Sequence, residues 1–322
     1  MHAVIESTDQ QFQQFWNKLV ESDPTQNPLY APAHGSQSDF AQGQENFKNH
    51  SFMVVREQEP VFGCSLTSTM DANGQRRLGF YGREATTLVN RNQLESPSND
   101  FQPEAVRLLM EHFDRLMHDI SPDVLDYLDP VSFGLMSPLT QILLEKGALP
   151  QLRNSQLIRL CLSESALLGR IDEQYRDQIA WGNKHLAFET ISGEGINDYT
   201  ESLEQLANRY CATEGCADEF LRSCMELIGK RQGFLVQSSL ESQDSALFVH
   251  NGHTSHLVIA DVPGQTDSMP VLQTVIWQAM QFSKQMACAY IDLGGRIEQE
   301  VAVDLQKFGG AARTRIKVSY SQ

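Results

Sequence analysis

The chain of 322 residues contains no apolar run approaching the roughly 18 uninterrupted residues that a membrane-spanning helix needs. Its first residues, MHAVIESTDQQFQQFW, carry neither the basic leader nor the apolar core of a signal peptide, so the expected location is cytoplasmic. Positive charge is scarce: Lys and Arg total 25 against 41 Asp and Glu, a net charge of -16. So acidic a surface repels polyphosphates at long range, which disfavours nucleic acid, tRNA included, as a general partner. The six cysteines (Cys64, Cys161, Cys211, Cys216, Cys224 and Cys288) include no Cys-x-x-Cys pair. In a reducing compartment they read as small buried hydrophobes, not as a disulfide framework or a zinc site. A Gly-x-Ser-x-Gly elbow is also missing, and with it any support for a covalent serine mechanism.

What is present is ordinary for a globular chain, with 41% hydrophobic and 20% charged residues. Its length suits two domains of about 150 residues each. Phe12, Phe15, Trp16 and Leu19 recur at helical spacing and predict a first helix over 9–21, capped by Thr8. SFMVVREQEPVFGCSLTSTM reads as two strands about a tight turn, followed by an Asn73-Gly74 turn and a short strand over 78–81. FQPEAVRLLMEHFDRLMHDI has helical spacing, entered at Pro103 and ended at Ser121-Pro122. A strand in DVLDYLDPV and a short helix closed by Gly147 follow. Beyond Pro150 come a strand in NSQLIRLCL, a helix capped by Ser163, a strand near 187–191 and two further helices. FLVQSSLE, SALFVH and HTSHLVIADV read as strands, the last two joined at Asn251-Gly252. MPVLQTVIWQAMQFSKQM is a strongly patterned helix capped by Ser268, and AYIDL and TRIKVSY are closing strands. Each half thus runs helix, antiparallel strands, helix, strand. The expected fold is α/β, with halves 1–150 and 151–322 that are each a mixed, mostly antiparallel sheet flanked by helices.

Several residues carry chemistry. Asp292 ends an apolar strand just before Gly294 and Gly295. It reads either as a carboxylate that orients or deprotonates an amine, or as a cap on the glycine turn. Arg176 is suited to a phosphate or carboxylate, or equally to a solvated helix face with Asp172 and Asp177. His250 and His253 are expected to face each other across the hairpin with His256 on the opposite face, which argues against one shared metal. His256 remains a cleft-lining candidate. Tyr210 can protonate a leaving group or simply pack.

Three strings, LIRLCLSESALLGRIDEQYRDQIAWGNKHLAFETI, VLQTVIWQAMQFSKQMACAYIDLGG and KFGGAARTRIKVSY, together with the order of elements, resemble the Fem-type (FemAB- and FemX-like) branch of the GNAT acyltransferase superfamily. The resemblance implies tandem GNAT domains and transfer of an acyl or aminoacyl group to the amine of a small-molecule or lipid-linked cell-envelope or polysaccharide precursor. The implied co-substrate is acyl-CoA or aminoacyl-tRNA, with no tightly bound cofactor and no metal. Two departures stand out. The family usually has Phe-Lys shortly before the closing Phe-Gly-Gly, where this chain has Asp304 and Leu305, leaving Lys307 as the nearest lysine. DVPGQTDSMP, before the long helix, lacks the glycine-rich pattern that holds a pyrophosphate in acyl-CoA enzymes. The expected catalytic residues are Asp292 and Lys307, and the expected substrate-binding residues are Arg176, Tyr210, His256, Gly294 and Gly295. The key arrangement to look for is Lys307, Arg313 or Arg176 beside Asp292. The alternative is a non-catalytic GNAT-fold binding or scaffold protein.

Overall fold

The computed structural model describes residues 2–22, 27–30, 47–71, 73–81, 83–90, 102–130, 136–211, 214–239, 244–266, 269–298 and 304–321. Strands β1 (His2–Glu6), β3 (Phe52–Arg56), β4 (Glu59–Ser65) and β7 (Thr86–Val89) form a four-stranded sheet in the order β1-β3-β4-β7. Helix α1 (Phe12–Ser22) packs Phe12, Phe15, Trp16 and Leu19 against one side of it. Helices α2 (Pro103–Ile120) and α3 (Pro138–Glu145) bury Leu109, Phe113, Leu139 and Leu143 in a second cluster with Phe52, Phe62, Leu125 and Tyr127.

A second, 12-stranded sheet runs through both halves of the chain. Its remaining strands are β2 (Phe47–Asn49), β5 (Thr67–Met70), β6 (Arg76–Gly79), β8 (Val124–Leu128), β9 (Leu149–Arg159), β10 (Phe188–Ile191), β11 (Gly233–Ser238), β12 (Ser245–His250), β13 (Thr254–Asp261), β14 (Tyr290–Asp292), β15 (Arg296–Glu298) and β16 (Ala311–Ser321). The order is β10-β11-β12-β13-β14-β9-β16-β8-β6-β5-β2, with β15 also on β13. The last strand, β16, therefore sits between β9 and β8 and ties the two halves into one sheet.

In the second half α4 (Glu164–Leu168), α5 (Glu173–His185), α6 (Thr200–Tyr210), α7 (Glu214–Gly229) and α8 (Val271–Gln285) cover the two sheet faces. On one face α8 and α5 pack on Ile158, Leu160, Phe234, Phe248, Leu257 and Ile291. On the other, α6 and α7 pack on Leu235, Leu247, Val249 and Val258, joined by Leu29, Phe80 and Tyr81 from the first half. Because strand side chains alternate faces, Asp292, next to Ile291 and Leu293 of the α8-side core, points away from α8.

The observed elements differ from the expected ones in local detail. The first helix starts at Phe12, where the Gln11 N–H donates to Asp9 Oδ1. The helix expected after Ser163 is two helices, because Asp172 accepts from the Gln174 N–H and caps a fresh start. His250 pairs with Ser255, and His256 with Val249, while His253 lies in the turn between β12 and β13. The histidines at 250 and 253 are therefore not cross-strand partners. Strands β9 and β16 are longer than their apolar cores suggested, since each is the other's partner over most of its length. A single 3-10 turn, Leu305–Phe308, precedes β16. The expected cap Ser268 lies outside the described residues.

Candidate active site

Strand β14 ends at Asp292, where three strands meet. In register, Asp292 lies beside His256 of β13 and Leu157 of β9, so these side chains share one sheet face. Two residues from Leu157, Ser155 pairs with Arg313 of β16, which puts Arg313 on that face and diagonal to Asp292. Arg313 Nη1 donates to Asp292 Oδ2 at 3.1 Å, with only 13% and 12% of the two side chains exposed. The Gly294 N–H donates to the other carboxylate oxygen at 2.9 Å. Asp292 thus caps the turn and anchors a nearly buried ion pair at once. Ser155 Oγ is buried beside it with no hydrogen-bond partner among the described residues.

The glycine pairs are explained by close approach and by backbone conformation. A Cβ on Gly294 would lie 2.7 Å from Ser155 Cβ, and one on Gly295 would lie 2.2 Å from the Leu257 carbonyl oxygen. Only glycine lets the chain press against β13 here, where the β12–β13 register shifts and β15 takes over from β14 as its neighbour. Gly309 and Gly310 have φ of 75° and 88°, in the left-handed region that β-carbons disfavour.

Further along the same face the side chains are basic. Arg153 lies directly opposite Arg315, and Lys317 is opposite Gln151. Glu84 accepts from both Arg153 and Lys317 at 3.1 Å, and Lys317 also meets Asp126 at 3.1 Å. Burial pushes the Glu84 carboxyl up, but Lys317 and Arg153 outweigh it and hold it below its ordinary range. Arg315 Nε donates to the Asp129 main-chain carbonyl at 2.9 Å. Tyr30 is close by, and burial pushes its hydroxyl up to about 12, against the pull of Arg315. Of Lys307, Arg313 and Arg176, only Arg313 reaches Asp292. Arg153, Arg315 and Lys317 were missed, although Arg313, Arg315 and Lys317 recur with the two-residue period that marks one strand face.

Other expected site residues fall elsewhere. Lys307 Nζ donates to Gln174 Oε1 at 2.8 Å and lies 5.3 Å from the centre of the Tyr175 ring, while its carbonyl accepts from the Asp172 N–H. It fastens the 3-10 turn to the start of α5, and the basic partner of Asp292 is Arg313. Arg176 is half-buried on α5 and makes no ion pair among the described residues. The Tyr210 ring stacks on Phe220 at 4.3 Å, under the Arg83 guanidinium at 5.6 Å. Its hydroxyl is pushed well above the usual range by burial, which matches a packing role. Tyr210 still borders the basic face, because Arg83, which donates to its carbonyl, precedes Glu84.

The start of α8 is occupied from within. Gln265 Oε1 accepts from the Leu272 N–H at 2.8 Å, and the Gly264 N–H donates to Asp244 Oδ1 at 2.7 Å. These groups satisfy amides that a pyrophosphate-binding loop would turn toward its ligand.

No protein-family model matches the chain, and no curated protein sequence matches it. Solved structures do. FemX superposes with a TM-score of 0.59 over 96% of each chain at 10% identity. A tandem GNAT protein from the clavulanic acid biosynthesis pathway superposes with a TM-score of 0.54 at 9% identity, over 100% of this chain and 98% of that one. The fold is that of the Fem-type tandem GNAT proteins. Because the tandem GNAT likeness extends over nearly the whole length of both structures, it includes the β9–β16 seam, where the two halves share strands.

Proposed function

We propose that this chain transfers an acyl or aminoacyl group to the amine of a cell-envelope or polysaccharide precursor, a small molecule or a lipid-linked one. The observation that carries the reading is the Asp292–Arg313 pair at the meeting of β13, β14 and β9, flanked by His256 and by the Ser155 hydroxyl, which has no hydrogen-bond partner among the described residues. Direct attack of an amine on an ester or thioester needs the amine oriented, its proton accepted and the carbonyl polarised. A carboxylate has lone pairs beyond the two that Arg313 and Gly294 engage, so Asp292 is placed to accept from the incoming amine. In this reading the buried Ser155 hydroxyl, with no hydrogen-bond partner among the described residues, is the donor to the carbonyl oxygen. Both FemX and the clavulanic acid tandem GNAT protein share the fold that supports this reading.

Acyl-CoA and aminoacyl-tRNA are the candidate donors. Gln265 at the α8 start weighs against a CoA pyrophosphate there, and the charge of -16 weighs against tRNA. The test is transfer of labelled acyl groups from each donor to a mixture of amine-bearing nucleotide-linked and lipid-linked precursors. Transfer from one donor, lost in Asp292→Asn with the fold intact, is expected. No transfer from either donor overturns the reading.

The engagement of Lys307 by Gln174 favours a second reading, a binding or scaffold protein on the same fold. In a melting-temperature screen with CoA, acyl-CoA and nucleotide sugars, stabilisation by a donor favours the enzyme. Indifference to all of them favours the scaffold.

A further inference from the structure

The chain has two Asn-Gly pairs, Asn73-Gly74 between β5 and β6 and Asn251-Gly252 between β12 and β13. Asparagine before glycine is chemically labile, because no β-carbon hinders attack of the glycine nitrogen on the asparagine side-chain amide. The two turns treat that nitrogen differently. The Gly74 N–H donates to the Asp71 main-chain carbonyl at 2.9 Å, a very weak base. The Gly252 N–H donates to His250 Nδ1 at 3.3 Å. An imidazole nitrogen is a far stronger base, and burial lowers the His250 pKa, which keeps the ring unprotonated and able to accept.

The amide under attack is held as well. Asn251 Oδ1 accepts from the His253 N–H at 3.0 Å and from the Thr254 N–H at 2.9 Å. Two main-chain donors on one amide oxygen stabilise the negative charge that develops there when its carbon is attacked. Asn73 instead lies beside a carboxylate, since its N–H donates to Asp71 Oδ1 at 2.9 Å, and a fixed negative charge opposes a second one. Gly252 has φ of 84°, and the space a β-carbon would occupy is open, so the turn has room for a ring and for water.

We propose that Asn251 is a self-modification site, at which the turn from His250 to Thr254 promotes succinimide formation and deamidation. His250 Nδ1 takes the Gly252 N–H proton as that nitrogen bonds to Asn251 Cγ. The charge on Oδ1 rests on the His253 and Thr254 N–H groups. The Cγ–Nδ2 bond then breaks, and Nδ2 takes the proton and leaves as ammonia. Water opens the five-membered ring at either carbonyl, giving an aspartyl or an isoaspartyl residue at position 251. The isoaspartyl product adds one carbon to the main chain between β12 and β13. The change reaches the candidate site, because the His253 carbonyl accepts from the Ala289 and Tyr290 N–H groups at the start of β14, and His256 lies beside Asp292. The chemistry is independent of any transferase activity.

The full chain, aged in warm neutral buffer, is digested and both Asn-Gly pairs are mapped by mass spectrometry, with hydroxylamine cleavage marking the succinimide. In the folded protein Asn251 should convert about tenfold or more faster than Asn73, although Asn73 is the more exposed. In urea the two rates should converge, because each pair then reacts without its turn. His250→Gln keeps a hydrogen-bond acceptor but lacks the basic nitrogen. It should bring the Asn251 rate down toward that of Asn73 and leave Asn73 unchanged. Should that variant fail to fold, the wild-type ratio of folded to unfolded rates decides alone. Equal rates at the two pairs in the folded chain, or faster conversion at Asn73, overturn the proposal. So does an advantage of Asn251 that survives unfolding or His250→Gln.

Discussion

Two adjoining polar regions of this molecule solve burial in opposite ways. At the start of α3, Asp129 accepts from the Ser137 N–H and Thr140 Oγ1, and Tyr127 bonds Thr87 and Ser137 through its hydroxyl. Burial raises both the Asp129 carboxyl and the Tyr127 hydroxyl, so this region moves toward neutrality with its hydrogen bonds satisfied. One main-chain carbonyl away, at Asp129 O, the β9–β16 face keeps its charges and sets Arg153 against Arg315. The first region is what a chain builds for stability. The second carries a cost, and such places are where a fold meets its ligands.

The largest expected effect tests the charged side of that contrast. Asp292→Leu removes the partner of a nearly buried guanidinium and the acceptor of the Gly294 N–H. It should lower unfolding stability by about 3 to 5 kcal/mol in urea titration. Adding Arg313→Met should recover most of that loss, because the stranded charge goes too. A small effect of the single variant would mean that the pair is hydrated more than its burial implies. On the neutral side, Asp129→Leu deprives the Ser137 N–H and Thr140 Oγ1 of their acceptor and should cost about 2 to 3 kcal/mol. Asp129→Asn, which keeps one carbonyl acceptor, should cost clearly less. Equal losses in the two Asp129 variants would assign the role to charge instead of satisfaction.

The sequence carried most of the elements and the class of fold, because long periodic segments such as MPVLQTVIWQAMQFSKQM and paired hairpin turns such as Asn251-Gly252 encode their structure locally. Asp292 was recognisable from its place at a strand end before glycines. What it bonds was not, since Arg313 reaches it only through the pairing of β16 with β9, a contact between distant segments. The same long-range register hid Arg153 opposite Arg315. Lys307 shows the same dependence on packing. Its neighbours in sequence suggested a site, but a short turn beside α5 placed Gln174 and Tyr175 within its reach. The split of the predicted helix after Ser163 was legible in Asp172, a capping residue inside an apparently continuous pattern.

A third, intermediate effect concerns pH and extends the neutral strategy to His50. Burial, and then Lys48, lower its pKa from 6.5 to about 4, and Ser68 Oγ lies 2.9 Å from its Nε2. The folded chain then binds fewer protons at this site than the unfolded chain. The stabilisation is present above the unfolded value of 6.5 and is lost as pH falls toward about 4. Between those limits the wild type should lose about 2 to 3 kcal/mol more than His50→Gln. Parallel urea midpoints against pH for the two proteins would show the difference, and parallel curves would remove His50 from the account.

The smallest expected effect is the most informative about chemistry. Lys307→Met removes an amine–amide hydrogen bond and a cation over the Tyr175 ring, both at a half-exposed site. Stability should change by no more than about 1 kcal/mol. If Asp292 and its face are the centre, transfer by this variant should remain within about threefold of wild type, a difference of under 1 kcal/mol in the barrier. A loss of about a hundredfold in kcat with KM unchanged would mean that Lys307 leaves Gln174 when substrate binds and acts in the transition state. The site would then be built by a movement of the 3-10 turn toward the basic face, and the separation between the two regions would close during the reaction.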